Sequence, residues 1–255
     1  MHEKVFGIHK VHIEKFLRRL RDDLYTETIP LEAEYAVSRE PVKFRDRRKL
    51  RYKKIREGEL WGRKWESAWF HMQAVVPKAW KGRETALHLN LSGEAMLFDA
   101  QGIPVYAFSA GSAFDTLYVR ERYVFPKAAE GGESLELWVE AAANLLFGVH
   151  LDAEPRPDTS CPHGHFEAHA NSMRLALFNR EVWQLLNDIR ILYRALCAIP
   201  ENDYRAMKIL YALNNAVCAY RGNPDNASGA RAELRDILSL PAAASALHVY
   251  AVGHA

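Results

Sequence analysis

From Trp65 to Leu151 the apolar residues recur at every second position in short runs, a period that suits strands and excludes amphipathic helix there. Leu87, Leu89 and Leu91 alternate with Ala86, His88 and Asn90, and Leu135, Leu137 and Val139 alternate with Ser134, Glu136, Trp138 and Glu140. Successive side chains of a strand point to opposite faces, so each run offers one apolar and one polar face. Ser92-Gly93, Asp99 to Gly102 and Gly131-Gly132 supply the turns between the runs. The pattern predicts an antiparallel β-sandwich of jelly-roll type.

On either side of this region the period changes to that of a helix. Ile8, Val11, Phe16, Leu17, Leu20 and Leu24 predict an opening amphipathic helix, followed by a mixed stretch with Pro30 and Pro41. After a Pro- and His-rich loop, Val182 to Leu196 and Met207 to Val217 predict two further helices ended by Pro200 and Pro224. A third, Ala-rich helix is expected over Ala227–Leu238, and a β-type run over Leu247–Val252. The expected class is α+β, divided as 1–60 (helix and basic linker), 61–170 (sandwich), 171–246 (helical segment) and 247–255 (a closing strand).

A formal net charge of +2 gives no reason to expect a nucleic-acid partner for the whole chain. Three cysteines, Cys161, Cys197 and Cys218, suit a reducing compartment better than a disulfide framework, so a cytoplasmic location is expected. No apolar run reaches the roughly 18 to 20 residues that span a bilayer.

Several groups of residues are candidates for chemistry. Cys161, His163, His165 and His169 are metal-ligating types at short spacing, although Pro162 and Gly164 fit an ordinary exposed turn better. Lys43 to Lys54 holds eight basic residues against Asp46 and could meet phosphates, or be a solvated or interdomain face. Trp61, Trp65, Trp69, Trp80 and Trp138 could form a sugar platform or a sandwich core. Glu136 and Glu140 share a strand face about 13 Å apart, too far for the carboxylate pair of a retaining glycosidase. Neither a phosphate-binding glycine loop nor a Gly-x-Ser-x-Gly elbow is present.

The run Val249-Tyr250-Ala251-Val252-Gly253-His254-Ala255 resembles the first strand of the catalytic α/β barrel of glycoside hydrolase family 38, the zinc-dependent α-mannosidases, where it leads into G-H-A-H-I-D. Ser92 to Asp99 followed by Gly102-Ile103-Pro104-Val105 resembles that family's sandwich hairpin, and Val139 to Gly148 its next signature. Val105-Tyr106-Ala107-Phe108 departs from the usual V-Q-G-L type. The resemblance implies a retaining hydrolase of terminal α-mannosides in oligosaccharides, with two carboxyl groups and with zinc or another divalent metal gripping sugar hydroxyls. It also implies that the metal ligands and catalytic carboxylates follow Ala255, since His254 matches the motif's first, non-ligating His. The chain is then an N-terminal accessory region, inactive and metal-free alone, with its own catalytic domain as partner. Leu247–Ala255 would pair with another copy or pack on the preceding helices. A stand-alone carbohydrate-binding sandwich is the alternative.

Overall fold

The computed structural model describes residues 2–112, 119–146 and 166–241. Two compact units emerge, one of Tyr25–Phe178 and one of Met1–Leu24 with Asn179–Ala255, an α+β arrangement. Within the first unit the strands are β1 (Tyr25–Pro30), β2 (Glu32–Ser38), β3 (Lys53–Ile55), β4 (Leu60–Arg63), β5 (Ser67–Val75), β6 (Thr85–Asn90), β7 (Glu94–Phe98), β8 (Pro104–Ser109), β9 (Arg122–Val124), β10 (Ser134–Ala142), β11 (Glu167–His169) and β12 (Ser172–Phe178). They form a six-stranded sheet β3-β2-β5-β10-β7-β8, a four-stranded sheet β1-β12-β6-β9 and a short pair β11-β4. The strands pair antiparallel throughout these sheets.

Period two decides which side chains enter the core. Leu87, Leu89 and Leu91 join Met173, Leu175 and Leu177 from the four-stranded sheet. Against them stand Phe70 and Met72 of β5, Leu137 and Val139 of β10 and Leu97 of β7. All of these are buried, and burial of each large aliphatic or aromatic side chain contributes about 1.5–3 kcal/mol.

The sheets take in residues that a division at 60 and 170 leaves outside them. Ile29, Leu31, Ala33 and Tyr35 alternate inward from β1 and β2, but interleaved glutamates gave the stretch a mixed look in sequence. β1 is an edge strand, which tolerates Pro30 at its end. β12 lies between β1 and β6; on its outer face Ser172, Ala176 and Phe178 are buried while Arg174 is exposed, which blurs the alternation.

The second unit contains α1 (His2–Asp22), α2 (Arg180–Ala198), α3 (Tyr204–Tyr220), α4 (Ala227–Ala232) and α5 (Arg235–Leu238). On α1 the buried stripe is Phe6, Ile13, Phe16 and Leu20, whereas Ile8 and Val11, expected inside, are exposed. The expected single helix over 227–238 is broken between Ala232 and Arg235. Asn179 caps α2 by accepting from the Val182 N–H at 3.1 Å, and Pro200 follows its end. Arg221 adopts a left-handed conformation (φ 51°) at the end of α3, ahead of Gly222. No helix among the described residues is long and apolar enough to cross a membrane.

Candidate functional site

The outer face of the six-stranded sheet carries the densest set of polar and aromatic groups. Alternation puts Trp69, His71 and Gln73 of β5 beside Glu140, Trp138 and Glu136 of β10, with Glu34 of β2 opposite His71 and Phe98 of β7 opposite Trp138. His71 stacks on Trp138 with ring centroids 4.2 Å apart and 12° between planes. Its Nδ1 lies 2.9 Å from Glu34 Oε1 and its Nε2 lies 3.0 Å from Glu136 Oε1. The Trp138 indole donates to that same oxygen at 3.1 Å.

The segment Phe44–Lys49, a short 3-10 turn, lies on this face. Phe44 meets Trp69 and Phe98 edge-on and tilted, and the Trp69 indole donates to the Val42 carbonyl at 2.7 Å. The Arg47 guanidinium is 3.5 Å from the Phe44 centroid and 4.3 Å from that of Trp138, a cation held between two rings. It donates to the Phe44 carbonyl at 2.7 Å, and burial holds its pKa below the ordinary guanidinium value. Tyr52 packs edge-on against Trp138, donates to the Arg47 carbonyl at 3.0 Å, and is pushed up to about 12 by burial. Gly102, at φ +84°, lets the turn after β7 press on Phe44, where a Cβ would come within 2.5 Å of the ring.

Beside this cover is a cleft of about 250 Å³ whose lining includes Arg47, Arg48, Phe98, Asp99, Val105, Tyr123, Phe125, Glu136 and Trp138. Its charges balance, with two guanidinium groups against two carboxylates. Arg48 approaches Glu136 Oε1 at 3.7 Å.

The residues singled out in the sequence fall into separate places. Trp61 and Trp80 belong to the core between the sheets, Trp69 and Trp138 are buried on the outer face, and each indole N–H donates to a carbonyl or carboxylate oxygen. Trp65 is 56% exposed at φ 65° and belongs to no such cluster. Glu136 is exposed and Glu140 half-buried on the same face of β10, four residues apart as expected. Burial pushes the Glu140 carboxyl above its ordinary range. Within Lys43 to Lys54, Arg47 is buried and Asp46 pairs with Lys49 at 2.7 Å and Arg45 at 3.4 Å, while Lys43, Arg48, Arg51, Lys53 and Lys54 are exposed.

His169 sits on β11, its backbone bonded to the Ser92 hydroxyl, while Cys161, His163 and His165 lie outside the described residues, as do His254 and the closing run 247–255. Among the described residues no three His, Cys, Asp or Glu side chains converge as a metal site. Sequence reading missed the Glu34–His71–Glu136 bridge. The alternation of β5 marks His71 as outward, but its neighbours depend on pairing registers between distant strands.

A family model described as alpha-mannosidase, jelly roll domain matches residues 29–176. Over 253 residues the chain is 28% identical to Alpha-mannosidase G of Dictyostelium discoideum, covering 95% of this chain and 22% of that protein. Alpha-mannosidase 2C1 of Mus musculus is 26% identical over 201 residues, covering 77% of this chain and 18% of that protein. The chain thus spans about a fifth of the length of these relatives. A solved GH31 alpha-xylosidase from Xanthomonas citri overlaps 62% of this chain and 18% of its own at 16% identity, with a TM-score of 0.24.

Proposed function

The chain belongs to the alpha-mannosidase jelly roll domain family, and from that premise we propose that it serves as the accessory portion of a retaining α-mannosidase acting on terminal α-mannosides of oligosaccharides. The observation that carries this reading is the family match over most of the sandwich, joined to relatives about five times longer. Hydrolysis needs one carboxyl group to protonate the leaving oxygen and another within about 5–5.5 Å to capture the anomeric carbon. Glu136 and Glu140, about 13 Å apart along β10, do not supply that pair. Glu34 and Glu136 approach each other only with the His71 ring between them, which fills the space a substrate would need.

The role left to this chain is support. Tyr204, Met207 and Tyr211 form an exposed stripe at i, i+3 and i+7 of α3, with Tyr204 and Tyr211 75% and 72% exposed. Such a stripe suits burial against the remainder of the enzyme. Zinc is part of the proposal as the Lewis acid that would hold sugar hydroxyls. Among the described residues no group of three His, Cys, Asp or Glu side chains could hold it. The exposed free thiols of Cys197 and Cys218 support a cytoplasmic location.

The test is a chimera in which this chain replaces the segment of Alpha-mannosidase G that it matches. The chimera is expected to hydrolyse an aryl α-mannoside within about tenfold of the parent rate. Aspartate at both Tyr204 and Tyr211 is expected to lower its melting temperature. A chimera no more active than the same enzyme with the segment deleted would overturn the proposal.

A further inference from the structure

The cleft on the six-stranded sheet exists because β10 runs past the end of β7. The last β7 partner is Phe98, opposite Trp138, so Ser134–Leu137 continue without a β7 neighbour. At Asp99 the chain turns away, Oδ1 accepting the backbone N–H groups of Gln101 and Ile103 at 2.9 and 2.8 Å. The notch is closed on one side by Arg47 and Arg48 and on the other by Tyr123 and Phe125.

Two features of the lining, a carboxylate oxygen and a pair of rings, point to a ligand. The contacts of Glu136 with His71, Trp138 and Arg48 all fall on Oε1, which leaves Oε2 unengaged among the described residues. Arg47 is 7% exposed and forms the wall behind Arg48, with its Nε shut off from the cleft's opening. Tyr123 and Phe125 pack against the core on one side, meet each other edge-to-face at 5.2 Å, and are only partly buried where they line the cleft. Trp138 is no platform, because the His71 ring stacks on it and the Arg47 guanidinium lies 4.3 Å from its centroid.

We propose that this cleft binds one neutral pyranose ring, with its C–H face on Tyr123 and Phe125 and two adjacent hydroxyls on Glu136 and Arg48. A carboxylate accepts two hydroxyl protons and a guanidinium donates two N–H groups, the complement of a vicinal diol. The balanced charges of Arg47, Arg48, Asp99 and Glu136 disfavour an ionic guest. A volume of 250 Å³ lies just under the roughly 300–1,000 Å³ that holds drug-sized ligands, so the cleft takes one ring and not a chain. This inference stands on the cleft and not on the accessory role, and the two fail separately.

The experiment is an amide chemical-shift titration of the chain with methyl α-mannopyranoside, methyl α-glucopyranoside and glucuronate. At least one neutral glycoside is expected to give saturable millimolar shifts centred on Tyr123, Phe125 and Glu136, with glucuronate weaker. Arg48→Ala, at an exposed side chain, and Tyr123→Leu, which keeps apolar bulk, should each weaken binding about tenfold while spectra elsewhere stay unchanged. Non-saturating or scattered shifts, saturation unaltered in both variants, or glucuronate binding as well as the neutral sugars would overturn the proposal.

Discussion

Trp138 shows how far a single residue can be read from sequence. Its place in the period-two run puts it on the polar face of β10, and it is there, yet it is only 7% exposed. The cover comes from His71 on the neighbouring strand and from Arg47, distant in sequence in a stretch whose charges suggest solvent, and no local pattern announces that a guanidinium will stack on a distant indole. Arg47→Ala is therefore expected to cost about 1–2 kcal/mol in urea unfolding, by loss of cation–π contact and stem packing. Arg48→Ala, next along the chain but exposed, should change stability by less than about 0.5 kcal/mol. Glu57 gives a pH signature. Arg174 donates to both its oxygens at 2.6–3.1 Å and the Met173 N–H adds 2.8 Å, so its carboxyl is held below the ordinary range, first by the hydrogen bonds from Arg174. A depressed carboxyl contributes stability that is complete above its unfolded pKa and is lost as pH falls through the folded value. Glu57→Gln should cost about 1 kcal/mol at neutral pH, and the deficit should shrink as pH drops through and below the ordinary carboxylate range. Glu140 has the opposite sign, because burial raises its pKa and its charge is a cost above that range. Glu140→Gln should melt higher than wild type at neutral pH and alike in acid.

At the scale of elements, strands and helices with a clean period were legible. β6, β10, α2 and α3 stand where spacing placed them, because one buried face forces one period on each. The less legible elements had their pattern overwritten. β12 buries Ala176 and Phe178 on its outer face as well as its inward residues, and β2 carries an outward glutamate between inward Ala33 and Tyr35. On α1 two apolar stripes compete, and the buried one uses Phe6 and Ile13 while Ile8 and Val11 stay outside. These differences make element-level predictions specific. Leu89→Ala, at a fully buried site between the sheets, should cost about 2–5 kcal/mol in denaturant unfolding. Asn179→Ala removes the α2 cap and should cost about 1 kcal/mol.

For the whole molecule, the sandwich and its family were legible from three motifs in order and from period-two leucines. The candidate cleft was not, since it is made by the unequal lengths of β7 and β10 and by a turn folded back over them. As the accessory piece proposed above, the chain brings no retaining carboxylate pair together among its described residues, since the His71 ring separates Glu34 from Glu136. The direct measurement is release of aryl alcohol from an aryl α-mannoside by the purified, folded chain in the presence of zinc. The account predicts release no faster than in buffer; saturable turnover that Glu136→Gln abolishes would contradict it.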